Sequence, residues 1–483
     1  MIALAEKSTD ALNDSGIPLC IDYAGTLTCP ATRLEQLLRV AKHSPSSWLP
    51  LLRPGTGKAR FWREIAARAD MDNTARPLRR ELLEWLELER RAGRRLVLLV
   101  DGDQRAAESL VARLPLFDSC AALDGVAGTS AERKRQALID RFGEHGFDYV
   151  GSDPADEIVW QAARRAVVIG DPMLAGRIGT VSNPAQLLTQ SGPSARDWAE
   201  ALRLHQWVKN TLVFLPALLA HAILDRQIMR DSLLAFLAFG LCASSVYLIN
   251  DLLDLGADRA HPRKRRRPLA AGTISAPAGL RVSALLLLAA ALTAVAVSPS
   301  FAAVLSCYYV LTWAYSLRLK RVALLDVIAL ATLYTIRIVA GAAATGVPLS
   351  FWLLAFSVFI FLSLGFVKRY AELEAARRDG QPSGSGRAYS ARDLPLIMSL
   401  GTAAGYSAIV VIALYINSAE SQTHYRHHKP LWLICPLMLL WISRVWMLTA
   451  RGRMHDDPVV FAVRDRVSLA TLGLLVLIIA MSI

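Results

Sequence analysis

Hydrophobic and polar positions follow different patterns in the two parts of this 483-residue chain. Up to about Glu200, short apolar runs such as RRLVLLVD and RAVVIGD lie between charged stretches, which is typical of buried strands alternating with helices. Beyond Lys209, about nine long apolar runs have the roughly 17–24 residues that a membrane-spanning helix needs. Their approximate centres are Leu215, Phe239, Leu288, Tyr308, Ala331, Val358, Ala408, Met438 and Leu474. The pattern predicts an α/β domain fused to an all-α membrane bundle of about nine transmembrane helices.

A polar segment with two prolines, SNPAQLLTQSGPSARD, separates the two parts and is typical of a linker. Just after it, Trp198, Leu202 and Trp207 recur at near-helical spacing, as in a helix that lies at a membrane surface. We therefore predict a first domain over 1–185, a linker and interfacial helix over 186–206, and a membrane domain over 207–483.

The net charge of +13 first suggests a nucleic-acid partner. Many of the basic residues, however, lie in the loops RAHPRKRRRP, RLKR, KRYAELEAARRDGQPSGSGR and RGRMHDDP, which follow alternate spans. The positive-inside rule places such loops in the cytoplasm. The charge is thus better explained by a multi-pass protein of the inner membrane with its N-terminal domain in the cytoplasm, and no nucleic-acid partner is expected.

Three acids stand where the second span ends: Asp251, Asp254 and Asp258. Their i, i+3, i+7 spacing puts them on one face if a helix continues through them. Carboxylates at membrane depth are costly unless a cation neutralises them, and Mg²⁺ commonly bridges carboxylates to substrate phosphates. Asn250 adds an amide oxygen. The sequence predicts a Mg²⁺ site here, and the alternative is a solvated helix end whose acids pair with Arg263–Arg267.

That cationic run has two interpretations of its own. Some of its members anchor a cytoplasmic loop. Others, among them Lys264 and Arg267, would bind a pyrophosphate leaving group, because guanidinium and ammonium groups match phosphate oxygens.

The stretch NDLLDLGAD followed by RPLAAG resembles the signature of UbiA-type intramembrane prenyltransferases. The resemblance covers the C-terminal half and implies a nine-helix bundle in which this helix end carries Mg²⁺ and a diphosphate. Members of that family usually carry a second aspartate-rich motif, but the corresponding region, YSLRLKRVALLDVIALATLYTIRIVAG, has only Asp326. Asp326 is accordingly expected to be the catalytic acid of this region.

The segments RLHQWVKN, YSLRLK, LYTIRIVAGAAATGVP and KRYAEL are similar to those of the decaprenyl-phosphate phosphoribosyltransferase subgroup. This resemblance implies a transfer of 5-phosphoribosyl from phosphoribosyl pyrophosphate to a polyprenyl phosphate, as a step toward arabinose donors for cell-envelope glycans. The cations near cytoplasmic span ends would bind the two phosphates, and two tyrosines would line the same site. They are Lys209, Lys320, Lys368, Arg369, Tyr315 and Tyr370. Interfacial snorkelling and an aromatic belt are the alternatives for these residues.

The N-terminal run IPLCIDYAGTLT resembles the first motif of haloacid dehalogenase-like (HAD) phosphatases. The resemblance gives Asp22 the position of the nucleophile, Lys134 that of the third-motif lysine, and Asp153 and Asp156 those of Mg²⁺ ligands. Ala24 stands where the general acid should be, and Asp101 and Asp103 follow the second strand where a hydroxyl is expected. The resemblance implies an α/β HAD-like (Rossmann-like) domain. We predict that it is a degenerate phosphatase that is retained as a scaffold or docking platform.

Two other functions stay open at this stage. One is a polyprenyl-diphosphate transferase that acts on an aromatic or quinone precursor. The other is a cation-coupled transporter, although carboxylates of such proteins usually lie nearer the bilayer midplane. The oligomeric state is also open, with a homo-oligomer among the alternatives.

Overall fold

The structure, a computed structural model, describes residues 16–28, 34–35, 37–38, 40, 78–100, 108, 111, 114–123, 129–170, 172–179, 186–188, 192–378, 389–454 and 457–482. The chain divides into two compact units. The first comprises Met1–Ala201 together with Asp251–Arg281, and the second comprises Leu202–Asn250 together with Val282–Ile483.

A parallel sheet forms the centre of the first unit. Its strands are β1 (Leu19–Asp22), β2 (Leu96–Val100), β3 (Ser119–Ala122), β4 (Asp148–Gly151), β5 (Arg165–Ile169) and β6 (Gln186–Leu188), in the order β3-β2-β1-β4-β5-β6. All residues of β1, β2 and β4 are buried, as expected for a parallel sheet that is covered on both faces. The sequence-based prediction of an α/β domain is therefore confirmed.

Helices flank this sheet and complete its two hydrophobic cores. They are α1 (Arg80–Arg91), α2 (Ser130–Phe142), α3 (Glu157–Ala162) and α4 (Pro172–Gly179). A further short helix, α5 (Ala195–Ala201), follows later in the chain. Helix α2 begins with a capping box, in which Thr129 and Glu132 bond each other's backbone N–H groups. The strand order reverses between β1 and β4, and ligands of such sheets bind at the carboxyl ends of the strands at this point.

Seven helical segments of the described residues are long and apolar enough to cross a membrane. They are Arg226–Leu253, Ala276–Val297, Pro299–Arg321, Leu325–Thr345, Phe351–Arg378, Ala391–Ile416 and Pro430–Ala450. The α-helices within them are α7 (Arg226–Leu253), α9 (Ala276–Val297), α10 (Pro299–Leu317), α11 (Leu325–Thr345), α12 (Phe351–Arg378), α13 (Leu394–Ile416) and α15 (Ile434–Ala450). The remaining helices are α6 (Leu215–Leu219), α8 (Leu255–Ala260), α14 (Ala419–His424), α16 (Pro458–Ala462) and α17 (Arg466–Ser482).

The count of seven differs from the predicted nine at the first and last segments. The segment centred on Leu215 consists of a 3₁₀ helix, Leu204–Phe214, followed by the short α6. Pro216 stands in the first turn of α6, where its ring fits a helix start rather than a helix interior. The last segment, α17, is apolar but has 17 residues, which span about 26 Å of a core that is about 30 Å thick.

Helix α11 is the most buried of the seven candidate spans, at 72% of its apolar window. It contributes to the two large hydrophobic clusters of the second unit, through Tyr334 to one and Ile336 to the other. The broken first segment packs very tightly against it. A Cβ atom added at Gly341 would lie 2.0 Å from the Val213 carbonyl oxygen, so only glycine permits this approach. The contact fixes the 3₁₀ segment beside the central helix.

The alternation of basic loops predicts opposite labelling at two exposed positions. We expect Thr423→Cys, in α14, to react with a membrane-impermeant maleimide in intact cells, and Arg453→Cys to react only after permeabilisation. The parent protein controls for labelling of its six native cysteines. Labelling of Arg453→Cys but not Thr423→Cys in intact cells would show that the orientation is inverted.

Candidate functional site

The acidic helix end, which is the stretch that carries Asp251, Asp254 and Asp258, consists of two helices rather than one. Helix α7 ends at Leu253, and Asp254 is the N-cap residue of α8. The prediction of one continuous helix that presents all three acids is therefore wrong at Asp254. The backbone N–H of Asp258 still bonds the Asp254 carbonyl oxygen at 2.8 Å, so the chain continues almost helically through the break.

Two of the three acids converge on one basic residue. Arg267 donates from Nη1 to Asp251 Oδ1 at 3.0 Å and to Asp258 Oδ2 at 2.7 Å. Both carboxylates are buried, at 5% and 2% exposure. Lys264 Nζ lies 3.9 Å from Asp258 Oδ1 and is about half exposed, so it adds little. Sequence analysis gave pairing of these acids with Arg263–Arg267 as the alternative to a metal site. That pairing is present, through Arg267.

The same geometry allows a test of the expected Mg²⁺. Within the described part of the chain, no group of three or more His, Cys, Asp or Glu side chains is placed to hold a metal ion. Asp251 and Asp258, however, both place an oxygen within 3.0 Å of a single Arg267 nitrogen. Asp251 and Asp258 are therefore the residues that would hold a divalent cation. That donor set suits Mg²⁺, which commonly takes one or two carboxylates and completes its shell with substrate phosphates and water.

Asn250, which was expected to supply an amide oxygen, lies in the second unit. It donates from Nδ2 to Ser316 Oγ at 3.2 Å. This bond connects the last turns of α7 and α10, so the amide group is held in place by a neighbouring span.

A buried ionic cluster lies elsewhere in the second unit. Lys209 Nζ is 2.7 Å and Lys368 Nζ is 3.2 Å from the same oxygen, Asp457 Oδ2. The Tyr334 hydroxyl lies 2.9 Å from Asp457 Oδ1. Burial acts to raise the pKa of Asp457, but the two ammonium groups and the tyrosine outweigh it and hold the pKa below its usual value. The structure thus brings together two of the predicted phosphate-binding lysines, around a carboxylate that sequence analysis did not single out.

Arg337 extends this cluster through a second set of partners. It donates from Nε to Asn210 Oδ1 at 2.9 Å and from Nη2 to the Tyr308 hydroxyl at 3.1 Å. Its guanidinium carbon lies 4.9 Å from the centre of the Tyr308 ring. Sequence analysis missed Arg337, although an arginine inside an apolar span is a signal that could have found it.

Asp326 and Arg369 form a separate ion pair, and both side chains are essentially buried. The Tyr389 hydroxyl donates to Asp326 Oδ1 at 2.6 Å, and Arg369 donates from Nη2 to the Tyr315 hydroxyl at 2.7 Å. Arg369 also pairs with Glu372. Three of the predicted site residues are therefore joined here, and protein groups engage Asp326 on both of its oxygens.

The last two predicted residues of the membrane domain are Tyr370 and Lys320. Tyr370 packs edge-to-face on Trp446, with ring centres 6.2 Å apart. Lys320 lies in the short 3₁₀ turn Leu319–Arg321 after α10.

A second polar cluster occupies the switch point of the sheet in the first unit. Lys134 Nζ lies 3.1 Å from Asp22 Oδ2 and 3.0 Å from Asp156 Oδ1, and Tyr149 donates to Asp156 Oδ2 at 2.8 Å. Burial raises the pKa of Asp22 to about 6, although the ammonium group of Lys134 acts in the opposite direction. The lysine thus joins the two acids at the carboxyl ends of β1 and β4.

The remaining predicted residues of this domain contribute less. Asp153 accepts a bond from the Ala155 backbone N–H at 2.9 Å and caps a short 3₁₀ turn. Asp101 and Asp103 lie outside the described residues.

The apolar half of the chain identifies the protein family. Residues 213–477, more than half of the sequence, match the profile of the UbiA prenyltransferase family. The chain belongs to this family. Membership agrees with the candidate membrane spans among the described residues.

Relatives of this UbiA family member include Uncharacterized protein y4nM of Sinorhizobium fredii, 37% identical over 94% of this chain and 89% of the relative. The decaprenyl-phosphate phosphoribosyltransferase of Mycobacterium tuberculosis is 33% identical over 56% of this chain and 88% of the relative. Among solved structures, a UbiA homolog from Archaeoglobus fulgidus bound to GPP and Mg²⁺ is 16% identical and covers 59% of this chain and 99% of that chain, with a TM-score of 0.46.

Proposed function

We propose that this UbiA-family membrane transferase moves 5-phosphoribosyl from phosphoribosyl pyrophosphate to a polyprenyl phosphate. The observation that carries the proposal is the convergence of Asp251 and Asp258 on Arg267, which supplies a cation-bridging carboxylate pair beside a phosphate-binding guanidinium. The name of the M. tuberculosis relative supports the choice of substrates, because that relative is matched over 88% of its length.

The reaction is a single displacement at C1 of the ribose. The bond from C1 to the pyrophosphate oxygen breaks, and its electron pair leaves with pyrophosphate. An oxygen of the acceptor phosphate forms the new bond from the opposite face, which inverts C1. The acceptor is already an anion, so no general base has to remove a proton. This chemistry suits a site that is rich in charge but lacks a predicted catalytic histidine.

We propose that the acids of the acidic helix end bind Mg²⁺ and that the nearby basic residues bind the pyrophosphate leaving group. Asp251 and Asp258 would hold Mg²⁺, with Asp254 at the helix break beside them in sequence. When bound, Mg²⁺ would neutralise the charge that develops on pyrophosphate. Arg267, once released from the two acids, would bind pyrophosphate oxygens, and Lys264 would add a second positive charge at the exposed side.

The cations of the second unit are proposed to bind phosphate groups. Lys209 and Lys368 are the best placed, because both ammonium groups already meet at one oxygen. Asp326 serves as the buried counter-ion that holds Arg369 and, through it, Tyr315. We propose that Lys320 contributes a positive charge and Tyr370 an aromatic ring to substrate binding.

A donor competition tests the assignment. Purified protein is incubated with Mg²⁺, polyprenyl phosphate and radiolabelled phosphoribosyl pyrophosphate, or with a polyprenyl diphosphate and an aromatic acceptor, and the lipids are extracted. We expect labelled lipid from phosphoribosyl pyrophosphate and no prenylated acceptor from the polyprenyl diphosphate. Product formed only from the polyprenyl diphosphate would favour the alternative enzyme. Cation flux in proteoliposomes without turnover of either donor would favour a transporter.

For the first unit we propose a HAD-like fold that has lost phosphatase activity. Lys134 lies within 3.1 Å of both Asp22 and Asp156, and Tyr149 occupies the other oxygen of Asp156. Ala24 cannot protonate a leaving oxygen, and general acid catalysis typically contributes about 10²–10⁴-fold. The domain would then serve the transferase as a scaffold.

This proposal predicts that the full-length protein does not remove the 5-phosphate from its phosphoribosyl lipid. Phosphate release in the presence of Mg²⁺ should equal that of the Asp22→Asn variant, because neither protein has the acid that the reaction needs. The measurement is release of labelled phosphate from the extracted lipid. Magnesium-dependent release by the parent protein that Asp22→Asn abolishes would show a working phosphatase.

A further inference from the structure

The cluster around Asp457 carries more positive than negative charge. Two ammonium groups, those of Lys209 and Lys368, share one carboxylate oxygen. Arg337 lies close enough to Lys209 to interact with it electrostatically, but its own hydrogen bonds go to Asn210, Tyr308 and the Leu333 carbonyl oxygen. Lys368 also feels the charges of Glu372 and Arg369, which oppose each other. Asp457 therefore contacts two ammonium groups, and the Arg337 guanidinium adds positive charge near one of them.

The donors around this carboxylate are arranged as they would be around a phosphate. Lys209 and Lys368 approach one oxygen at 2.7 and 3.2 Å, and Tyr334 approaches the other at 2.9 Å. Charge-assisted bonds of this length from ammonium and hydroxyl groups are the strong contacts that bind oxyanions. Lys209 and Asp457 are both buried, at 10% and 8% side-chain exposure. The donors thus form a buried anion site that a protein carboxylate now occupies.

The occupant and its donors lie on different kinds of element. Tyr334 and Lys368 are on the spans α11 and α12, and Lys209 is on the 3₁₀ segment that packs against α11. Asp457 precedes the five-residue α16, in the connection between α15 and α17, where its Oδ1 also accepts the Val459 backbone N–H at 3.2 Å. The donors are therefore fixed by the bundle, whereas the carboxylate comes from a connecting segment.

We propose that Asp457 is an internal occupant of a phosphomonoester site formed by Lys209, Lys368 and Tyr334. The phosphate of the lipid acceptor displaces the carboxylate when it binds. The inference rests on the proposed function only in naming the acceptor as the ligand. Asp457 lowers affinity for the acceptor, but it keeps the buried lysines neutralised when no acceptor is present, because unpaired buried charges are strongly destabilising.

Binding of farnesyl phosphate to the detergent-purified full-length protein tests the proposal. The shift of the thermal midpoint with ligand concentration gives an apparent Kd without any turnover. We expect Asp457→Asn to lower this Kd by about tenfold or more, since a competing charge is removed from two close cations. The double variant Asp457→Asn with Lys209→Gln should lose the gain. Inorganic phosphate as a parallel ligand shows how much of the effect belongs to the headgroup alone.

Asp465→Asn is the matched control, because Asp465 is also an ion-paired acid near the end of the same connecting region, bonded to Arg444 at 2.7 Å. It should leave the Kd unchanged. An Asp457→Asn protein that binds farnesyl phosphate no more tightly than the parent would overturn the proposal and leave Asp457 as a positioning residue for the lysines.

A measurement on the unaltered protein covers the case in which Asp457→Asn does not fold. Modification of Asp457 by a hydrophobic carbodiimide, detected by mass spectrometry, should rise several-fold when farnesyl phosphate is added, because the carboxylate leaves its donors. Unchanged or reduced modification would contradict displacement. Tight binding of farnesyl phosphate without phosphoribosyl transfer would refute the proposed function while leaving this site intact.

Discussion

Replacement of Asp251 by Asn should lower turnover by at least about 100-fold, the loss typical of a missing electrostatic or metal contact. The change removes one of the two carboxylates that meet at Arg267 and alters the side-chain volume little. Asp258→Asn should have the same effect for the same reason. The measurement is the rate of lipid labelling from phosphoribosyl pyrophosphate at saturating Mg²⁺, together with the Mg²⁺ concentration at half-maximal rate, which should rise.

The matched control for this experiment is Asp231→Asn. Asp231 is also buried, is paired with Arg230 at 2.9 Å and lies on the same helix, α7. It is about 30 Å from Asp251 along the helix axis at 1.5 Å per residue, and its loss should leave turnover near the parent value. Near-normal turnover of Asp251→Asn in a folded protein would remove the acidic helix end from the mechanism.

Breaking the Asp326–Arg369 pair should cause the largest loss of stability. We expect Arg369→Gln to reduce the free energy of unfolding by about 3–5 kcal/mol, because the Asp326 carboxylate is then buried without its cation. The measurement is chemical unfolding of the detergent-solubilised protein. The double variant Asp326→Asn with Arg369→Gln should recover part of the loss, since it removes the uncompensated charge.

Arg444→Gln provides the comparison for this second prediction. Arg444 and Asp465 form an ion pair with two bonds at 2.7 and 3.0 Å, but their side chains are 27% and 16% exposed. Solvent screens this pair more, so its loss should cost clearly less than that of Arg369. If Arg369→Gln and Arg444→Gln lose equal free energies of unfolding, burial does not determine how much the Asp326–Arg369 pair contributes to stability.

The acidic motif shows which features of the site could be predicted from residue spacing alone. The positions of Asp251, Asp254 and Asp258 predicted three carboxylates on one helical face, and the chain does bring Asp251 and Asp258 to the same nitrogen. It does not continue as one helix, because α7 ends at Leu253. Periodicity describes residues within an element, whereas the end of an element depends on local backbone geometry that a spacing rule does not contain.

The sequence by itself determined the broad architecture of this protein. The length of the apolar runs predicted membrane spans, and the strand-like runs predicted the α/β sheet. The segments NDLLDLGAD and RPLAAG indicated the family, which the match over residues 213–477 confirms. Each of these features depends on one continuous segment of the sequence, because a segment that is buried in lipid or in a sheet must itself be apolar.

Only the tertiary structure decided which charges meet. Lys209, Lys368 and Asp457 are far apart in the chain, and Tyr389 reaches Asp326 from a different connection. Sequence analysis recognised the two lysines as candidate phosphate ligands but gave no reason to select Asp457 from an ordinary polar loop. The partner of a buried charge is chosen by the packing of several helices at once, and that choice leaves no local pattern in the sequence.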